Sequence, residues 1–77
     1  MNAQRRKDIQ RAIELLDEAN QILSAAADEE QEYYDNMPES IQGGERGEAA
    51  DAAADRLADA AADVDAARSN AQESLDA

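Results

Sequence analysis

The sequence predicts an all-α protein, an antiparallel two-helix hairpin of coiled-coil type that dimerises into a four-helix bundle. Three observations carry this expectation. Apolar residues recur in alternating steps of four and three along two long stretches. The only proline and all three glycines fall between those stretches, in the window from Asp35 to Gly47. The remainder is rich in alanine and acids, with no Phe, Trp, Cys or His, which is close to the profile of long helices. At 77 residues the chain is one domain, residues 1–77, and it has no covalent staple to supplement a small core.

The first helix is expected over about 3–35. Ile9, Ile13, Leu16, Asn20, Leu23, Ala27, Glu30, Tyr34 and Met37 keep a strict 4-3 alternation, the spacing of a coiled-coil seam. Leu15 and Ile22 form a second line beside it, with Ala12, Ala19, Ala26 and Tyr33 between the two. Together they make an apolar face wider than one partner helix covers, so a second copy is the expected cover, isologous dimers being the commonest soluble oligomers. Asn20 sits on a core line, where an amide fixes register or oligomer state at some cost in stability, or else marks a wet spot.

The turn is expected over 36–44. Pro38 biases Met37 away from helical geometry and suits the first position of a new turn, which Gly43 would close in the left-handed conformation. Gly44 would cap the second helix, and Glu45 and Glu48 would favour its positive end.

The second helix is expected over about 45–75 and is dominated by AADAAADRLADAAADVDAA. Ala50, Leu57, Val64 and Ala71 lie on one line, flanked by Ala53, Ala60, Ala67 and by Ala54 and Ala61. Alanine leaves little between two backbones, so a helix with large side chains can lie close along this strip. If the hairpin folds about Ser40, residues whose numbers sum to about 80 lie opposite, to within a few positions. Ile9 then meets Ala71, Ile13 meets Ala67, Leu16 meets Val64, Asn20 meets Ala60 and Leu23 meets Leu57. The same map puts Arg5, Arg6 and Lys7 beside Glu73 and Asp76, which would relieve the clash of a basic first turn with its own helix dipole. The other use of Arg5, Arg6, Lys7 and Arg11 is to hold an acidic partner or nucleic acid, for which three or four cations on so acidic a chain would make a weak, salt-sensitive footprint.

A net charge of −12 argues against direct binding to nucleic acid or anionic membranes, since both depend on cations neutralising phosphate. No apolar run approaches a membrane span and the N-terminus lacks the core of a signal peptide, so a cytoplasmic location is expected. Catalysis is hard to build: Ser24, Ser40, Ser69 and Ser74 have no histidine to activate them, and a thin bundle offers no pocket to separate the pKa values of two carboxylates. No cofactor and no small-molecule substrate is implied. Asp28, Glu29, Glu30 and Glu32 lack the glycine-centred loop or Glu-x-x-His spacing of metal sites, so no metal is expected.

Two groups are candidates for partner contact. Tyr33, Tyr34, Met37 and Ile41 gather the only aromatics and the last large apolar groups at the turn, as a plug or as an anchor for another protein. Tyr33 and Tyr34 point about 100° apart, so one of them should stand outside the seam. Asp51, Asp55, Asp59 and Asp63 recur every four residues as a ridge of like charge, either a solvated face or a mimic of nucleic-acid phosphates.

The basic opening RRKDIQRAIELL followed by DEEQEYYDNMPESIQGGERGEAADAAADRL resembles a set of small, mostly uncharacterised proteins of bacteriophages, prophages and bacteria. In these a charged helix leads to an aromatic-Asp-Asn-Met/Leu-Pro-Glu-Ser element and a second amphipathic helix. The motif falls here on Asp35, Asn36, Met37, Pro38, Glu39 and Ser40, while the second helix departs in its excess of Ala and Asp. The resemblance implies a small accessory protein of a virus or mobile element, with no catalytic assignment. Three roles follow as expectations. They are a non-enzymatic binding module engaging a host or viral protein, as an anti-defence inhibitor or regulator; a nucleic-acid mimic using the aspartate ridge; and a structural or assembly accessory.

Overall fold

The computed structural model describes every residue, Met1–Ala77, in the element order α1 (Ala3–Asp35), α2 (Glu39–Gln42) and α3 (Glu45–Asp76). There are no strands, and α1 and α3 pack side by side as an antiparallel hairpin 59 Å long and 15 by 14 Å across. A compact chain of this length would have a radius of gyration of about 11–12 Å; the observed value is 17.3 Å. No helix is long and apolar enough to cross a membrane.

Helix α1 starts where Asn2, in extended conformation, accepts a 2.7 Å hydrogen bond from the Arg5 backbone through Oδ1, satisfying one of the free donors of the first turn. It ends at Asn36, whose N–H donates to the Glu32 carbonyl, just before the backbone restriction imposed by Pro38. Helix α3 starts at Gly44, which is extended and offers no side-chain cap, with Glu45 and Glu48 in the first turn. The fold of this hairpin therefore owes more to packing than to propensity at its second start.

The connection departs from expectation at two positions. Pro38 is the residue before the helical turn, with ψ of 146°, and Glu39 is the first helical residue; the carbonyl of Pro38 accepts bonds from Ile41 and Gln42. Gly43 is right-handed, at φ −82°, and no residue of the chain has positive φ. The physical reason lies four residues later. Gly47, inside α3, is buried, and a Cβ added there would collide with the backbone of Gln42. Close approach of α2 to Gly47 closes the turn, so Gly43 is not required to bend left-handed.

Along α1 every residue of the first 4-3 line is half-buried or buried, from Ile9 through Asn20 to Met37. The matching line on α3 runs Gly47, Ala50, Ala54, Leu57, Ala61, Val64, Arg68, Ala71, Leu75. Ala67, expected on the contact strip, is exposed, while Arg68 and Leu75 lie on it instead. Two cross-links fix the register. Asn20 Nδ2 donates to the Ala61 carbonyl at 2.8 Å and Arg6 Nη2 donates to the Leu75 carbonyl at 2.9 Å. Both pairs sum to 81, one residue from the Ser40-centred map.

Candidate interaction surfaces

Three surfaces emerge from this register. The first is the pole formed by the turn. Met37 is buried, and Tyr34 and Ile41 are half-buried under it, so these three close the end of the hairpin. Gln42 ties α2 to α1 by donating from Nε2 to the Tyr34 carbonyl at 3.0 Å. Tyr33 stays outside, 47% exposed, and its phenol oxygen accepts a 2.9 Å hydrogen bond from Arg46 Nη2 on α3. That bond, followed by the charge attraction to the phenol oxygen, holds the Arg46 guanidinium above its ordinary pKa. The result is an aromatic ring held on the surface by a hydrogen bond from a cation, one turn after Glu29 on the same face of α1.

The second surface is the aspartate ridge of α3. Asp51, Asp55, Asp59 and Asp63 are all exposed, and none forms an ion pair. The only two salt bridges are Arg11 to Glu14 and Arg68 to Asp65, both within one helix. Arg68 lies on the contact line with its stem against α1 and its head reaching out to Asp65 Oδ1 at 2.9 Å. The bond and charge of Asp65 raise its pKa, with a further contribution from Asp17 on α1.

The third surface is a flank. The Tyr33–Arg46 bond shows that the second line of α1 lies on the same side of the hairpin as Arg46 and the residues that follow it at seven-residue spacing, Ala53, Ala60 and Ala67. On this side Leu15 is 47% and Ile22 69% exposed, over a floor of half-buried Ala19, Ala26, Ala53 and Ala60. The opposite side carries Gln10, Asp17, Ser24 and Gln31 from α1 and Asp51, Ala58, Asp65 and Gln72 from α3. One flank is greasy and the other wet.

The basic cluster does not meet the carboxylates expected for it. Arg6 bonds the Leu75 carbonyl, one of the free acceptors in the last turn of α3, and Arg5, Arg6 and Lys7 form no ion pair with Glu73 or Asp76. A cation on a terminal carbonyl complements the negative end of α3, so the helix dipole rather than its side chains recruits Arg6. Of the named core positions, Ile9, Ile13, Leu16, Asn20, Leu23, Leu57 and Val64 are half-buried between the helices, whereas Leu15 and Ile22 face out. Gly47 was not singled out from the sequence, although it lies three residues before Ala50 on the same line. Leu75 and Arg68 continue that line towards the other pole.

The structure holds no cavity, and no three His, Cys, Asp or Glu side chains converge as metal ligands. Compared with known proteins, the chain matches no family model, no curated sequence and no solved structure.

Proposed function

We propose that this protein is a non-enzymatic binding module of phage or mobile-element origin. It docks a host or viral protein at its turn pole and pairs with a second copy along the greasy flank. The observation that carries the reading is Tyr33. A tyrosine that the fold does not use for its plug, yet orients through a hydrogen bond from Arg46, gives up less conformational freedom on binding than an unbonded one, which is the property of interface anchors. Glu29, one turn away on the same face, suits a partner with a basic rim. Tyr34, Met37 and Ile41 belong to the plug and support Tyr33 from below.

The test is Tyr33→Ser in a capture experiment from host lysate. Capture should fall by tenfold or more with the helical circular-dichroism signal unchanged. Capture that survives the substitution would exclude the pole as the docking surface.

A second reading has its own observation: four exposed aspartates, unpaired, on one helix. As a mimic of nucleic-acid phosphates, the ridge would occupy a basic groove on a defence nuclease or regulator. Asp51→Asn, Asp55→Asn, Asp59→Asn and Asp63→Asn together would then abolish inhibition, and unchanged inhibition would dismiss this reading. An assembly role would show itself as oligomers larger than a dimer.

A further inference from the structure

We infer that two copies pair antiparallel through the α1 flank, about a two-fold axis at Ala19, with the basic start of each α1 lying along the acidic end of the other. The inference rests on the self-association half of the proposed function and specifies its geometry.

The first support is area. A compact 8.3 kDa chain exposes about 4,600 Å²; this one exposes 5455 Å². The excess of roughly 900 Å² is close to the ~800 Å² that each partner contributes to a standard interface.

The second support is charge. Residues 5–11 hold four cations, Arg5, Arg6, Lys7 and Arg11, against the single acid Asp8, whereas residues 28–35 hold five acids and no cation. Arg6 is engaged with Leu75 and Arg11 with Glu14, and Lys7 falls on another side of α1 from the Ala12–Ala19–Ala26 strip, which leaves Arg5 as the free cation on this face. A face that is basic at one end and acidic at the other is its own complement only when reversed. Parallel copies would set cation on cation and acid on acid; antiparallel copies bring Arg5 towards Glu29 of the second copy, which continues the Leu15–Ile22 line at seven-residue spacing.

The third support is position. Helix α1, Ala3–Asp35, has its midpoint at Ala19, and so does the strip from Ala12 to Ala26. One axis therefore matches the helix ends and the apolar strip together. It places Ala19 against its own copy, Ala12 against Ala26, and Leu15 beside Ile22. Alanine at the axis lets the two helices approach closely, and the alanines of α3 on this flank leave room for the incoming Leu15 and Ile22.

The chain contains no cysteine, so single thiols can report the orientation without background. Ala12→Cys and Ala26→Cys variants, mixed and oxidised, should form a disulfide dimer at least tenfold faster than Ala12→Cys alone, and Ala19→Cys should link to itself. Sedimentation equilibrium should show a doubled mass that Ile22→Lys abolishes while the circular-dichroism spectrum is kept, Ile22 being exposed. Reversing the cation on this face (Arg5→Glu) should weaken self-association about fivefold, the contact occurring twice in a two-fold dimer. Adding Glu29→Lys to the same chain should restore it. Self-linking of Ala12→Cys as fast as the mixture would overturn the antiparallel geometry but keep the dimer. A mass that stays at 8.3 kDa at every concentration would overturn both the geometry and the self-association half of the proposed function, and would leave the Tyr33 pole to its own test.

Discussion

The two poles of the hairpin are built differently. Five of the seven buried residues, Ala27, Met37, Gly47, Ala50 and Ala54, lie in the part next to the turn; beyond them only Ala61 and Leu75 are buried. Near the turn small residues face each other, Ala27 against Ala54, and the helices close on themselves. Towards the termini large residues of α1, Ile9 and Ile13, sit over the small or polar Ala71 and Arg68, and remain half-exposed. A bulky side chain resting on an alanine is covered from below and open at its flanks. Two helices seal a seam where both are thin, and need a third neighbour where one is thick.

The comparison predicts a gradient of sensitivity along the rod. The largest effect is expected at Gly47→Val, where a branched side chain must displace the Gln42 backbone; unfolding in urea should show a loss of about 3 kcal/mol. Met37→Ala should cost about 2 kcal/mol by removing the plug, and Ile9→Ala, half-exposed at the other pole, about 1 kcal/mol. Equal losses at Met37 and Ile9 would contradict the gradient. Replacing the four ridge aspartates by asparagine removes three like-charge pairs at four-residue spacing and should raise stability by about 0.5–1 kcal/mol, an effect that shrinks in high salt. The smallest change is Gly43→Ala. The site is right-handed and no atom lies within 4 Å of an added Cβ, so a gain of about 0.5 kcal/mol is expected in the same urea titration. A loss there would mean that glycine's conformational freedom is needed after all.

The hairpin was legible because the 4-3 line on α1 and the alanine strip on α3 have one compatible arrangement, and because Pro38 and the glycines leave a single place to turn. The line on α3 was read only in part. Ala67 and Arg68 are adjacent, and by hydropathy alanine belongs inside; the heptad step instead selects Arg68, whose aliphatic stem does the covering. Gly47 was missed because a glycine beside a turn is ordinarily a signal about backbone torsion, whereas here it marks the close approach of another backbone, which depends on where α2 lands. The position opposite Asn20 was legible to within one residue, Ala60 for Ala61, but the bond was not. Its acceptor, a backbone carbonyl rather than a second polar side chain, leaves no trace in residue types. The same is true of Arg6 and Leu75. The pole residues were recognisable as a group, and the division of the tyrosines followed from their angular separation; which one stands outside was decided by the register with Arg46.

The 59 Å length over a 15 Å width has a practical effect on how the molecule moves. A rod tumbles and diffuses more slowly than a sphere of equal mass, so a single copy will emerge early from a gel-filtration column, in the place of a much heavier globule. Elution volume alone would report a dimer whether or not one exists, and only light scattering or sedimentation, which weigh the particle without assuming its outline, can count the chains.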